Sequence, residues 1–518
     1  MTDKKQFLKN GMLLATVALF MRGVSMLFNA YIVRKVGAEG MGLMSLTMSV
    51  YAFAVTFATS GISLAVTRLV AAALGKEEGE RARRVIRRAV LYAVAFGGVA
   101  ALFLYFGADF IALRFLGDMR AAPSLRLLSV SLVPIALSAV YSGYFIAVRR
   151  VAHNAVTQMI EQATRILLTV FGLAFLLPKG LTYACLALVG GSSLAELLSF
   201  FVLFVQARWD MHRHKMQGGA VGGEMKALLG TALPCALSAH ARQGLVTVEH
   251  LLIPFCLGLS GFLREEALAS YATLHSMAIP TVLFPSAILA SFSGLLVPEC
   301  AELGSQNQKK ALSLLSTKAL KMGFLYSVLS MFILLLGADA LGDIFYKSGE
   351  AARYIALLAP LVPVMYMDSV VDAHLKGLGY QVYAMGVNIA DAAVSVLSVL
   401  LLVSRFGADG YIYVIYIAEC LNFAFSFGKL WQLAKPSFGA RDLLLPLSLG
   451  AVAFFFVNLV MGNGLSPLSL LLRGFVFLGL FALGLFLLRQ TKKEAPKKGA
   501  SVSLYRERGV SGSAKYRA

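Results

Sequence analysis

The chain has 518 residues, of which 58% are hydrophobic and 14% charged, and its mean hydropathy is +0.75. A water-soluble protein needs roughly a quarter of its residues charged, so a soluble globular protein is excluded. The net charge of +20 would suit a nucleic acid. However, the charges cluster between long apolar runs, as they do in the cytoplasmic loops of multipass proteins, and nucleic acid is not an expected partner.

A span needs about 20 mostly apolar residues to cross the hydrocarbon core. Fourteen predicted helices meet that need, over residues 11–33, 42–70, 88–106, 123–147, 155–177, 181–206, 232–257, 269–297, 318–337, 352–376, 382–404, 409–431, 442–461 and 466–489. The first follows Lys4, Lys5 and Lys9 and carries Arg22 with no small-residue cleavage site after it, so it reads as a retained helix and not a signal peptide. The spans 155–177 and 181–206 are parted only by Pro178-Lys179-Gly180, a turn with a helix breaker. Prolines within spans (Pro134, Pro234, Pro254, Pro280, Pro285, Pro363) predict kinks, and Pro280 and Pro285 frame a possible hinge in the eighth.

An even number of spans puts both termini on one side. That side holds the N-terminus, the segment Arg81-Ala82-Arg83-Arg84-Val85-Ile86-Arg87-Arg88, Arg149 and Arg150, the 208–226 loop, Lys309 and Lys310, Lys435 and Arg441, and the C-terminal tail. It collects 32 Lys and Arg against 11 on the other side, with Arg22, Arg68, Arg165 and Arg242 inside spans. The expectation is a multipass protein of the cytoplasmic membrane with both termini cytoplasmic. The tail 491–518 is basic, rich in Gly and Ser, and expected to be disordered with weak attraction to anionic membrane lipids.

The chain also resembles itself at a separation near 229 residues. Leu74-Gly75 and Ala82 recur as Leu303-Gly304 and Ala311, and Leu132-Val133-Pro134 as Leu361-Val362-Pro363. Phe106-Gly107-Ala108-Asp109 finds Leu336-Gly337-Ala338-Asp339 one residue out of step, while the first helix aligns Arg22 with Arg242 and Asn29 with Glu249. A longer outer loop, Leu257 to Leu268, absorbs the difference. Copies separated by six spans insert in the same orientation, so these are parallel repeats. The expected division is a lobe over 1–215, a second over 216–435 and two further helices over 436–490. The fold class is therefore all-α and polytopic, with two six-helix repeats and two C-terminal helices. Two lobes facing a midplane cavity are the architecture of alternating-access transporters.

Charges inside the membrane cost a few kcal/mol each, so each needs a reason. Arg22 and Asn29 lie two turns apart on one helical face, and Arg242 and Glu249 repeat that spacing, with His240 and His250 nearby. If both arginines face the central cavity they form a site for an anion, and planar guanidinium groups suit phosphate; the alternative is that they pair with carboxylates or helix ends. Arg165 with Glu161 at i,i+4 is most simply an ion pair, and Arg68 either lines the cavity mouth or snorkels to the headgroups. Asp368 and Asp372, Asn388 and Asp391, together with Glu249, offer oxygens that could take Na⁺ or carry a proton. Polar helix–helix contact is the competing reading, and it is favoured for Glu196 and Glu419.

No Walker lysine motif, HExxH run or glycine-rich nucleotide loop occurs, so the chain reads as a non-enzyme without a bound cofactor, driven by an ion gradient, the membrane potential or consumption of product. The five cysteines have no metal-ligand spacing and read as small buried hydrophobes.

The runs Phe20-Met21-Arg22-Gly23-Val24-Ser25, Val36-Gly37-Ala38-Glu39-Gly40 and Gly61-Ile62-Ser63-Leu64-Ala65-Val66 resemble the stage V sporulation protein B group. So do Ala232-Leu233-Pro234, followed by Arg242 and Glu249, and Met277-Ala278-Ile279-Pro280-Thr281-Val282-Leu283-Phe284-Pro285. That group belongs to the multidrug/oligosaccharidyl-lipid/polysaccharide exporter superfamily, and the resemblance runs to about residue 490. It implies flipping of an undecaprenyl-pyrophosphate-linked saccharide to the outer leaflet, a V-shaped cavity between lobes, and a lipid-tail groove on the last two helices. Arg22 matches the first-helix cavity arginine of the family. Lipid II flippases carry a second arginine and an acid just beyond it, where Phe28 and Asn29 stand here. Their sodium site draws on helices 7 and 11, where Glu249, Asn388 and Asp391 are the nearest candidates that the resemblance offers here. Cell-wall synthesis proteins are expected partners. A cation-coupled multidrug exporter and a non-transporting scaffold for wall or spore assembly are the competing functions.

Overall fold

A computed structural model describes residues 2–494 apart from 60, 77, 214–223 and 463–465, with side chains described over 19–487 except at those positions and at 151 and 213. The tail from 495, most of the 208–226 loop and the side chains of Lys4, Lys5 and Lys9 lie outside the described residues. Everything described is helix and short connection. In lipid the backbone must satisfy its own hydrogen bonds, which for this apolar chain leaves helices.

The helices are α1 (Thr2–Thr59), α2 (Ile62–Leu74), α3 (Gly79–Ile111), α4 (Ala122–Ala147), α5 (Val151–Leu176), α6 (Leu181–Arg213), α7 (Glu224–Leu259), α8 (Arg264–Ala272) and α9 (Ile279–Leu283). They continue with α10 (Ser286–Ser305), α11 (Lys309–Leu341), α12 (Gly349–Leu358), α13 (Val362–Gly377), α14 (Gln381–Ser398), α15 (Ser404–Ala434), α16 (Ala440–Met461) and α17 (Pro467–Glu494). Eleven helical stretches among the described residues are long and apolar enough to cross a membrane. Two of these are double. Gly37 (φ 84°, ψ 169°) folds α1 back on itself, and Gly407 (φ 60°, ψ −138°) does the same near the start of α15. With the 36-residue α7 as a further pass, the architecture is compatible with fourteen spans.

The eighth predicted span is not one helix. The chain runs from α8 through a π-helical turn (Thr273–Ala278) into the five-residue α9, then bends at Pro285 into α10. Pro280 has no N–H to offer the carbonyl of Ser276 four residues back. Side chains from other helices serve this stretch instead. Asn29 donates to the Ser276 carbonyl at 2.6 Å, Tyr366 to that of Val282 at 2.6 Å, and Tyr326 to that of Pro285 at 2.7 Å.

The internal repeat is visible in the backbone. The π-helical turn Ala112–Leu116 recurs as Gly342–Tyr346, and the left-handed Gly117 (φ 63°) as Lys347 (φ 54°). Next come extended N-caps, Asp118 and Ser348, each accepting a backbone N–H with its side chain. Left-handed residues recur again at Arg149 and Gly379 and at Gly180 and Gly407, every pair close to 230 apart. Glycines let the repeated pairs approach closely: a Cβ at Gly143 would sit 2.7 Å from the Ser63 carbonyl, and one at Gly377 2.5 Å from that of Val297. The helices α16 and α17 pack on α11 through Phe332, Phe454 and Phe477, and Arg473 of α17 donates to Asn458 at 2.6 Å. Large apolar side chains such as Phe103, Phe106 and Leu459 point outward, as a lipid-facing surface requires.

Candidate functional site

Between the first and second halves lies a cavity of about 650 Å³. The first half contributes Arg22, Ser25, Asn29, Ser45 and Ser49 from α1; the second contributes Gln243 and His250 from α7 and His275, Ser276 and Phe284 from the broken pass. Arg22 is the one formally charged side chain among these, in a setting of neutral donors and acceptors.

The second arginine, Arg242, is exposed and is not among the side chains lining this cavity. The cavity face of α7 carries Gln243 and His250, whereas Arg242 and Glu249 lie one helical step round. Arg242 interacts electrostatically with Asp391 of α14 and Glu419 of α15, and Glu249 with Asp391 and the buried Tyr271 and Tyr411. Asp368 of α13 joins the same set through Asp391 and Glu419. Two carboxylates, Asp391 and Glu419, thus lie near the Arg242 guanidinium, and Glu249 and Asp368 are linked to it through them. One oxygen each of Asp368 and Asp391 is buried without a hydrogen-bond partner. Among the described residues, no three His, Cys, Asp or Glu side chains converge as metal ligands.

Other predicted site residues are engaged separately. Asp372 is paired with Lys376 at 3.0 Å, and Asn388 donates to the Ala384 carbonyl of its own helix at 2.8 Å. Arg165 is paired with Glu161 at 2.5 Å, and Arg68 is exposed on α2. Glu196 of α6 accepts from Tyr51 at 2.8 Å, and the Tyr51 hydroxyl shares a 2.6 Å hydrogen bond with Ser131, tying α1, α4 and α6 together.

The contacts across the cavity form a latch at the end away from the basic loops. Ser45 and Ser276 hydroxyls are 2.5 Å apart, Ser49 and His250 are 3.1 Å apart, and Thr247 donates to the Ser49 carbonyl at 3.2 Å. The His250 and His275 rings meet edge to face with centroids 4.4 Å apart, and Tyr271 stacks on His275. Nearer the end, Arg34 donates to the Phe345 carbonyl at 2.9 Å and Arg264 to that of Leu116. At the basic end, Arg84 and Glu224 pair at 3.0 Å, and Gly61 (φ 74°) lies so close to α7 that a Cβ would sit 2.2 Å from the Ala232 carbonyl. Sequence reasoning missed His275, Ser45, Ser49 and Ser276. Their only sequence signal is a lone polar residue in an apolar run.

An all-helical chain with an internal repeat around a polar central cavity, compatible with fourteen spans, has the multipass fold of the multidrug/oligosaccharidyl-lipid/polysaccharide exporter transporters. The solved structure of the lipid II flippase MurJ in its inward closed conformation matches with a TM-score of 0.74 at 14% identity, over 93% of this chain and 100% of that one. An inward-facing multidrug resistance MATE family transporter matches with a TM-score of 0.63 at 14% identity, over 82% and 100%. Residues 7–303 match the polysaccharide biosynthesis protein family, and the chain belongs to it. Stage V sporulation protein B of Bacillus subtilis (strain 168) is 26% identical over 412 residues, 78% of this chain and 79% of that protein. Lipid II flippase MurJ of the same organism is 20% identical over 462 residues, 82% and 83% of the two chains.

Proposed function

We propose that this protein flips an undecaprenyl-pyrophosphate-linked saccharide, a precursor of peptidoglycan or another wall polysaccharide, from the inner to the outer leaflet of the cytoplasmic membrane. The observation that carries the reading is the placement of Arg22 in the central cavity among neutral hydrogen-bonding side chains. A guanidinium with uncharged donors suits a pyrophosphate, binding its charge while remaining able to release it. Family membership and the similarity to a lipid II flippase support the substrate class. The lobes over 1–215 and 216–435 would rock about the cavity, with both termini cytoplasmic and the lipid tail on α16 and α17. Cell-wall synthesis proteins would supply and consume the cargo.

In this reading Asp391 and Glu419, beside Arg242, form the coupling site together with Glu249 and Asp368. Their dispersal and the unpartnered oxygens of Asp368 and Asp391 favour H⁺ over Na⁺, since a proton needs one oxygen and a sodium ion a converging shell. The same acidic set is what a cation-coupled multidrug exporter would use, which keeps that function as the second reading.

Depletion in the native host separates the two. The expected result is accumulation of an undecaprenyl-linked intermediate in the inner leaflet, uncorrected by Arg22→Ala at normal membrane levels and partly corrected by Arg22→Lys. A lost charge-assisted contact is worth about 1.5–3 kcal/mol, or roughly 10- to 100-fold in affinity. Dye retention without lipid accumulation, or full complementation by Arg22→Ala, would overturn the proposal.

A further inference from the structure

A larger cavity, of about 910 Å³, opens at the basic end between α3, α4 and α6. Its floor is apolar and aromatic, with Tyr141 and Phe204. Its rim carries Arg83 and Arg87 one turn apart on α3 and Arg208 one turn from His212 on α6, with the exposed Trp209 beside them. Among the described residues none of these three arginines has a carboxylate partner. The neighbouring carboxylates are already taken: Glu78 by Arg81, Glu80 and Glu224 by Arg84, Asp210 by Arg150.

The second half has the corresponding cavity, about 420 Å³ between α11, α13 and α15, and there the chain itself supplies the cover. The helix α15 stops at Ala434, Lys435 turns left-handed (φ 44°), and the next residues fold back. Phe438 packs on Phe324 with ring centroids 6.0 Å apart, the Ser437 N–H donates to Thr317 at 2.8 Å, and Asp442 pairs with Lys321 at 3.0 Å. The occupant there is an apolar body with an anion that meets a helix cation. In the first half α6 runs on to Arg213, carrying Arg208, Trp209 and His212 along the rim, and among the described residues none folds back over the groove.

We propose that this open groove is a binding site for one anionic phospholipid of the leaflet at the basic end. The phosphate lies between Arg83, Arg87 and Arg208, and an acyl chain covers Tyr141 and Phe204. Free phosphate would leave the apolar floor bare. A zwitterionic lipid would bring its own cation to a cationic rim, and the basic C-terminal tail would be repelled. The aromatic Trp209 at the mouth matches the interfacial depth of a headgroup.

Trp209 and Trp431 are the only tryptophans, so Trp431→Phe leaves Trp209 as sole reporter. The full chain is reconstituted in phosphatidylcholine vesicles containing brominated phosphatidylglycerol or brominated phosphatidylethanolamine, and Trp209 quenching is titrated. The expected result is a preference for phosphatidylglycerol of at least about tenfold, given three arginines near the headgroup. It should fall to near unity in R83Q/R87Q/R208Q and return in R83K/R87K/R208K. Quenching of Trp431 in a Trp209→Phe background should be the same with and without the glutamines, which shows that the variant is folded. Equal quenching by both lipids, or a preference that survives in the folded glutamine variant, would overturn the proposal and assign the groove to another occupant.

Discussion

The outer cluster around Asp118 shows what one side chain contributes. Burial alone would push the Asp118 carboxyl up, but Arg120, donating from its backbone and from two guanidinium nitrogens at 2.7–3.1 Å, holds it below the ordinary aspartate range. Arg120 also binds Glu39 at 2.7 Å, so the cluster ties the turn between α3 and α4 to the turn near Gly37. A carboxyl depressed in the folded protein stabilises it above the ordinary value of 3.8, and that contribution is lost as pH falls through the folded value. Arg120→Ala is expected to cost about 1–3 kcal/mol near neutral pH, because a buried carboxylate loses its partner. It should also flatten the acid-side loss of stability, and melting of the purified protein between about pH 3 and pH 7 measures both effects. A wild-type-like profile would remove Asp118 from the pH response. Asp118 is an ordinary loop residue in the sequence; its role depends on an arginine two places on and on that arginine's bond to a glutamate 81 residues before it.

Among the elements, the broken pass from α8 to α10 has the most to do with the site. Its prolines were legible as kinks in the sequence. Their consequence was not, because a proline shows which N–H is missing and not which side chain will answer the free carbonyl. Asn29 answers at Ser276, which joins the first helix to the second half at the cavity wall. Asn29→Ala should destabilise the protein by about 1–3 kcal/mol by leaving that carbonyl unsatisfied. Pro280→Ala restores an N–H within reach of Ser276, so in the double variant the cost of losing Asn29 should shrink. A double-mutant cycle on apparent melting temperature reads this coupling, and strictly additive effects would show that the amide does not serve the carbonyl. The repeat belongs to this scale too. Its sequence matches were few, whereas its π-helical turns and left-handed residues recur near every outer connection because backbone geometry outlasts side-chain identity.

At the scale of the whole molecule the two halves meet through a latch of small polar groups, and alternating access requires it to open. Ser45 and Ser276, with hydroxyls 2.5 Å apart, are close enough for a disulfide when both are cysteine. Oxidised S45C/S276C is expected to lose complementation and regain it on reduction, with the single variants unaffected. Full activity of the cross-linked protein would show that this interface does not separate during the cycle. The membrane class and the rough span positions were determined by the sequence by itself, because apolar length is summed along the chain and needs no partner. The internal duplication was legible there too, as short matches at a fixed separation. The tertiary structure alone decided which polar residues share a site. Successive residues of a helix point about 100° apart, so Arg242 and Gln243 face different surroundings, and only the rotation of α7 against its neighbours selects which one meets Arg22. That rotation is set by packing at glycines, prolines and borrowed hydrogen bonds scattered over the whole chain, which is why Asp391 and Glu419 came together with Arg242 only in three dimensions.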